Sequence, residues 1–333
     1  MKLSIIIVNY KTTQLVLDCL SSVYKYGVSD VEIIVVDNDS NDSTAEKLKD
    51  FSPEAIFHQM GYNAGFARAN NAGIQISRGE NILLLNSDTI NLDDAINKCN
   101  QMLRQSAFAA AGVQLLNPDN SPQISGNYAM TGGLNYLLPL PYTGQFLKAI
   151  ANIAKVKRPS IPEASGTMEV DWINGAFLMV KRTAIEKAGL LDEDFFLYAE
   201  EAEWCSRIKK YGPLCIFGEL NVLHLQGESA NNAFGSEGKG YLNLFDRKGL
   251  QIMLSNFVRI RKQFGLLWFL FDLFIYFLTI PIFFAGAAIE LIFFGNKGKY
   301  DLRQACGFAG NMIKLTKFIR PIIVNKPFFY KVL

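Results

Sequence analysis

The chain has 333 residues, half of them hydrophobic, and a formal net charge of +2. That length can bury a full core and carry one large domain plus an appendage. The near-neutral balance argues against a dedicated nucleic-acid binder, which is as a rule strongly basic. The five cysteines, Cys19, Cys99, Cys205, Cys215 and Cys306, form no CxxC pair, so they read as reduced thiols, mostly core-filling, rather than disulfides or metal ligands.

Residues 3–8 (LSIIIV) form an apolar run too short and too β-branched for a signal peptide. They predict a first strand, with the amino-terminal part in the cytosol. The loop Asn9-Tyr10-Lys11-Thr12-Thr13 comes next, and Leu15, Leu17, Leu20 and Val23 predict a helix. Residues 31–36 predict a second strand running into Asp37-Asn38-Asp39-Ser40, with a helix from about Thr44. Two strand-loop-helix units in the first fifty residues indicate a doubly wound, mostly parallel α/β sheet.

Residues 56–59 predict a third strand, ahead of the small-residue segment GYNAGFARANNAG at 61–73, which lets a helix start approach a phosphate-bearing ligand. No GxGxxG and no GxxxxGK[ST] is present. Residues 82–85 (ILLL) predict strand four, and Asn86-Ser87-Asp88-Thr89 comes directly off it. Two readings of that stretch stand side by side: a strand-to-helix turn capped by Asp88, or a carboxylate presented at the sheet's carboxyl edge to hold a cation. A helix at 93–105 and a strand at 109–115 come after it, and residues 117–167 are rich in Pro, Gly and Asn. The prolines there are expected to break any long element, leaving a partly mobile region over the site. Beyond it order returns across 170–180, followed by a helix at 183–188, the acidic run 191–207, and two short strands at 214–217 and 222–225.

Past Gly240 the character changes. Residues 264–295 are almost wholly apolar and aromatic, and between Lys297 and Lys331 eight Lys or Arg residues face only Asp301. The uncharged core, 273–289, is short for a span, and basic flanks on both sides run against the positive-inside tendency. The preferred expectation is a Pro281-broken interfacial or re-entrant helical pair; a true span and a buried soluble helix are the alternatives.

VNYKT at 8–12, VDNDSND at 36–42, GYNAGFARANN at 61–71, LLNSDT at 84–89, WINGAFLMVKR at 172–182 and FFLYAEEAEWCSR at 195–207, taken in that order, resemble the family 2 glycosyltransferases. They are similar in particular to the rhamnosyltransferase-type branch of bacterial surface-polysaccharide assembly. The resemblance covers residues 3 to about 229. It implies a GT-A fold in residues 1–240, with 1–115 the nucleotide-binding half and 116–240 the acceptor-side half; the composition of 241–333 marks that part as a helical membrane-associating region. The resemblance also implies a nucleotide-diphosphate sugar donor (dTDP or UDP), a Mg or Mn ion, and inversion at the anomeric carbon.

By matching position, the resemblance places Val8, Tyr10 and Asp37 at the base and ribose, and Asn63, Gly65, Arg68 and Asn70 along the donor segment. Tyr10 as packing, Asp37 as an Asx-turn acid and Arg68 as an exposed helical residue are the plain alternatives. Ser87 and Asp88 match the end of the family's DxD metal motif, whose first acid is Asn86 here. His224, in HLQGES, matches a further metal ligand; the alternative is a hydrogen-bonded core histidine. Glu201 matches the general base that an inverting transfer needs behind the acceptor hydroxyl, as a Glu where relatives usually carry Asp. Neighbouring helical side chains point about 100° apart, so Glu200 is a supporting acid. Trp172 and Asn174-Gly175-Ala176 match the segment where a sugar approaches, with Trp172 equally readable as core. Glu203 and Arg207 have the spacing of a helical ion pair.

The function implied is transfer of a sugar, L-rhamnose from its dTDP-linked form, to a polyprenyl-diphosphate-linked or growing glycan. The setting implied is the cytoplasmic face of the bacterial inner membrane, as a peripheral or monotopic protein, with the oligomeric state open. A nucleotidyltransferase is the second reading, although its Gly-rich loop after strand one is missing. A degenerate, non-catalytic glycan-binding subunit is the third, motivated by Asn86 and Glu201.

Overall fold

Branched apolar residues in unbroken runs favour strands covered on both faces, and three such runs form the strands Leu3–Asn9, Val31–Asp37 and Asn81–Asn86 in a computed structural model that describes residues 2–27, 30–156, 160–225, 234, 236 and 243–332. β1 (Leu3–Asn9), β2 (Val31–Asp37), β3 (Ile56–Gln59) and β4 (Asn81–Asn86) are parallel, with β1 between β2 and β4. Helices α1 (Thr13–Tyr24), α2 (Thr44–Phe51) and α3 (Gly65–Ile76) connect them in turn. Period-two alternation sends Leu3, Ile5 and Ile7 into one core with Val35 and Leu83, and Ile6 into the other with Val36 and Leu84.

The chain continues through β5 (Thr89–Asn91), α4 (Ala95–Gln105), β6 (Ala110–Leu116), β7 (Gly126–Asn127), α5 (Thr143–Ile153), β8 (Thr167–Val170), β9 (Trp172–Ile173) and β10 (Phe177–Lys181). After these come α6 (Arg182–Ala188), α7 (Glu200–Ile208) and β11 (Leu214–His224). Among the described residues the main sheet has the order β3-β2-β1-β4-β10-β6-β11-β5, with β8 also on β11. β10 is antiparallel to both β4 and β6, and β5 is antiparallel to β11. The sheet is therefore mixed on its second half and parallel on its first.

Several expectations change. Residues 214–217 and 222–225 are one strand, because β11 stays beside β6 across an irregularity between Phe217 and Asn221. The backbone bends there, where Gly218 donates its N–H to Gly166 O at 2.7 Å. Residues 117–167 hold the 11-residue helix α5; Pro139 and Pro141 precede it and Pro159 comes after it, so the prolines flank the helix, where they are tolerated. The stretch Asn86-Ser87-Asp88-Thr89 is a turn between the strands β4 and β5, so Asp88 caps no helix.

The chain divides into two compact units: Met1–Tyr128 with Ser160–Phe196 and Glu200–Ser229, and Ala129–Pro159 with Leu197–Ala199 and Ala230–Leu333. The second unit contains α5, a 3-10 segment (Thr131–Leu137), α8 (Arg247–Phe264), α9 (Leu266–Phe294) and α10 (Leu302–Ile323). Phe257, Phe269, Tyr276, Phe283 and Phe308 interlock edge to face or stacked between the last three helices. α9 is one 29-residue helix with Pro281 inside it, in place of the broken pair expected from sequence. A proline costs a helix interior about 3 kcal/mol, and α9 carries that because Phe269, Tyr276, Phe283 and Ala287 are buried along one side of it. The helix is long and apolar enough to cross a membrane, and only 17% of its most apolar 18-residue window is buried.

Candidate active site

The parallel strands end together, and their register lines up the residues that leave them. Asn9 is opposite Asp37, Asp37 opposite Gln59, and Val8 opposite Asn86. Asn9, to which the sequence alone assigns no role, organises this edge. Its Nδ2 donates to Asp37 Oδ1 at 2.7 Å and to the Ser40 and Thr44 hydroxyls at 2.9 Å, and its Oδ1 accepts from Thr12 N and Oγ1. Asp37 is 2% exposed, and its Oδ2 accepts from Ser40 N at 3.0 Å and from Gln59 Nε2 at 2.9 Å. A carboxylate offers about four acceptor positions, so Asp37 keeps one for a ligand hydroxyl or N–H. Val8 and Tyr10 are half-buried, and Lys11 Nζ lies 5.3 Å from the Tyr10 ring centre.

The Asn63 to Asn70 segment is held from below. Asn38 Nδ2 donates to Asn63 Oδ1 at 3.1 Å, and its Oδ1 accepts from Ala64 N at 2.7 Å. Gly65 opens α3 with φ +76°, and a Cβ there would stand 2.2 Å from Phe196 O; the glycine is required on both counts. Asn70 is buried and donates back to Phe66 O at 2.9 Å, while Arg68 Nε donates to Glu193 O at 3.1 Å. Asn71, one residue on, exchanges two hydrogen bonds with the Leu191 backbone.

Around the turn after β4, Ser87 Oγ lies 3.3 Å from Thr12 Oγ1, joining it to the loop after β1. Asp88 and His224 are both buried, and pairing of His224 with Thr89 across β11 and β5 sets Asp88 Oδ1 3.4 Å from His224 Nε2. Gln123, which carries no signal in the sequence, fixes the imidazole. Its Nε2 donates to His224 O at 2.7 Å and to Asn117 Oδ1 at 2.8 Å, which turns its Oε1 to His224 Nδ1 at 2.9 Å. Nδ1 is therefore the N–H donor, and Nε2 faces Asp88. A buried carboxylate oxygen and an imidazole nitrogen converging in this way would fit a shared divalent cation, with phosphate oxygens and water completing its shell. Among the described residues no group of three or more His, Cys, Asp or Glu converges. Cys19 Sγ is 3.5 Å from Thr89 Oγ1, and burial pushes its thiol up to about 12, which removes it as a nucleophile.

On the other flank, Asn86 N donates to Ala176 O at 3.0 Å, tying that turn to the Asn174-Gly175-Ala176 segment. Asn174 Oδ1 accepts from Ala176 N at 3.0 Å, and its backbone N–H donates to Ser125 O at 2.9 Å. A Cβ on Gly175 would sit 3.5 Å from Cβ and Cγ of Glu201, so the small segment lies directly against the expected base. Glu200 and Glu201 are buried in the first turn of α7, where the helix dipole favours carboxylates. The two residues before them, Tyr198 and Ala199, both have left-handed φ, 74° and 68°. Trp172 is half-buried, and its indole N–H is buried without an acceptor among the described residues.

Glu203 is a structural ion-pair member. Arg207 donates to both its carboxylate oxygens and to Ala188 O and Leu190 O, and Trp204 Nε1 donates to Gly189 O at 2.8 Å. Three consecutive carbonyls at the end of α6 thus receive donors from α7. Of HLQGES, residues 226–229 lie outside the described residues.

Residues 4–155 match the Glycosyl transferase family 2. The low-salt glycan biosynthesis hexosyltransferase Agl10 of Haloferax volcanii is 29% identical over 216 residues, 62% of each chain. The dTDP-rhamnosyl transferase RfbF of Shigella flexneri is 25% identical over 202 residues, 60% of this chain and 61% of that one. The matched stretch thus spans less than two thirds of either relative's length. Among solved structures, GalNAc-T7 with UDP, GalNAc and Mn2+ superposes with a TM-score of 0.51 at 15% identity, covering 67% of this chain and 43% of the other. The fold is GT-A, and the resemblance to the family 2 glycosyltransferases is carried by residues 4–155, under half of the chain.

Proposed function

We propose that this protein is an inverting, divalent-metal-dependent glycosyltransferase that moves a sugar from a nucleotide-diphosphate donor to a lipid-linked or growing surface glycan. The observation that carries the reading is the buried Asp88 and His224 pair, converging at the carboxyl edge of the sheet with the imidazole oriented by Gln123. Support for a metal also comes from GalNAc-T7, which shares the fold and was solved with Mn2+. The sugar we propose is L-rhamnose, from dTDP-L-rhamnose, on the likeness to the Shigella flexneri enzyme.

Each group of residues has its own task. Val8, Tyr10 and Asp37 bind the base and ribose; Asn63, Gly65, Arg68 and Asn70 line the donor segment. Ser87 and Asp88 face the donor's phosphates, and Asp88 and His224 would hold the Mg or Mn ion, which when bound neutralises charge on the diphosphate. Glu201 takes the proton of the acceptor hydroxyl as that oxygen attacks the anomeric carbon, and Glu200 keeps it oriented. Trp172 and Asn174-Gly175-Ala176 seat the acceptor or sugar, where Gly175 leaves room beside Glu201. Residues 1–240 form the catalytic domain. Residues 241–333 dock the protein on the cytoplasmic face of the membrane, through the exposed side of α9 and the basic residues around it.

The test is a screen of dTDP-, UDP- and GDP-sugars with Mg or Mn. The expected result is transfer from one donor, abolished in Glu201→Gln with donor binding retained and reduced in Asp88→Asn through metal-dependent donor binding. Purified protein that neither hydrolyses nor transfers any of these donors refutes the reading.

A further inference from the structure

Between Asp119 and Glu163 the chain carries no acidic residue and four basic ones, Lys148, Lys155, Lys157 and Arg158. α5 lies in this stretch, and only its amino-terminal end is seated. Thr143 Oγ1 is 3.0 Å from Thr279 Oγ1 of α9. The Tyr142 ring, just before the helix, packs against Phe283 and Tyr300, and a Cβ on Gly286 would meet it at 2.4 Å.

The rest of α5 projects from that anchor. Gly144 is its buried residue, whereas Phe146, Ile150 and Ile153 are 66%, 47% and 84% exposed. Their i, i+4, i+7 spacing makes one apolar stripe, and Val156 beyond the helix is exposed as well. Lys148 and Lys155 are exposed too, and at about 100° per residue Lys148 points away from the stripe. An uncovered apolar stripe opposite a lysine-bearing face, in a segment without acids, is the pattern of a helix that lies in a lipid interface. The uncompensated positive charge selects anionic headgroups. The same unit exposes Phe274, Ile292 and Phe293 on α9.

We propose that α5 is a second lipid-docking helix, one that lays Phe146, Ile150 and Ile153 into an anionic bilayer surface with Lys148 and Lys155 at its headgroups. This rests on the membrane-surface reading of α9 given above. It extends that reading to a segment far from α9 in sequence and to a preference for negatively charged lipid.

The full chain is tested on vesicles of phosphatidylcholine with and without phosphatidylglycerol. Cys306 is the exposed cysteine and the other four are buried, so a Cys306→Ser background allows an environment-sensitive fluorophore at Ile153→Cys or, as comparator, at Phe274→Cys. The expected result is quenching of the Ile153 probe by brominated lipid in phosphatidylglycerol vesicles. The triple variant Phe146→Ser, Ile150→Ser, Ile153→Ser should bind those vesicles at least tenfold more weakly with unchanged far-UV dichroism. Lys148→Glu with Lys155→Glu should lose most of the difference between the two vesicle types. A quenched Phe274 probe beside an unquenched Ile153 probe overturns the proposal, assigns the α5 stripe to a protein interface, and leaves the α9 reading standing. If neither probe is quenched, the membrane reading itself fails.

Discussion

Arg207→Lys isolates what holds α7 in place. Arg207 bonds both oxygens of Glu203 and the carbonyls of Ala188 and Leu190, with side-chain exposures of 25% for the arginine and 11% for the glutamate. A lysine keeps the charge but is a single point on a flexible stem, and it cannot serve a bidentate carboxylate and two carbonyls together. Two to three hydrogen bonds are lost, each worth about 0.5–1.5 kcal/mol net and more where charge-assisted. Because the pair keeps some solvent contact, the expected loss is about 2–3 kcal/mol, below the 3–5 kcal/mol typical of breaking a fully buried pair. For a domain of this size that corresponds to a fall in Tm of roughly 4–10 °C. Thermal unfolding of the full chain, followed by dichroism, measures it. Since α7 also carries Glu201, kcat should fall more than donor affinity. A Tm within about 1 °C of the parent, below what a single lost bond would give, would show that the Arg207 network contributes no net stability and would refute the hydrogen-bond accounting.

Gly65→Ala should destabilise by about 3 kcal/mol or more, from the left-handed φ and the approach to Phe196 O together; urea unfolding within about 0.5 kcal/mol of the parent, the range of a neutral surface change, would contradict the geometry. Gln123→Leu removes the acceptor on His224 Nδ1 and should weaken Mn binding in the presence of nucleotide by about 10- to 100-fold, measured by calorimetry. Iodoacetamide should label Cys306 in the native protein and leave Cys19 intact at pH 8, because Cys19 is buried and its thiol is pushed up to about 12; mass spectrometry reads the modified peptide.

The amino-terminal half of the fold was legible because its information is local. Apolar runs mark β1, β2 and β4, and the polar residue ending each run marks the sheet edge, so Asp37 and Asp88 could be placed from sequence. What was hidden depends on partners distant in the chain. Continuity of β11 is decided by β6, about a hundred residues earlier. Helicity through Pro281 is decided by Phe257 and Phe308 on neighbouring helices. Gln123 sits in a stretch whose prolines announce a loop, and only its bonds to His224, 101 residues away, give it a task. Asn71 carried no signal beyond its motif, and its bonds to the Leu191 backbone, 120 residues away, emerge only in three dimensions.

The frame under the candidate site is built from neutral amides: Asn9, Asn38, Asn71, Gln123 and Asn174 each bridge separate segments by donating and accepting at once. An amide has no proton to lose in the physiological range, and its hydrogen bonds are not subject to ionic screening as exposed ion pairs are. Ionic strength can therefore alter what the charged groups do to a ligand without loosening these amide bonds; the Glu203–Arg207 pair that holds α7 is the charged exception. Salt dependence measured for this enzyme should report on charged ligands, lipid headgroups and the α7 pair, with the amide-built part of the site held constant.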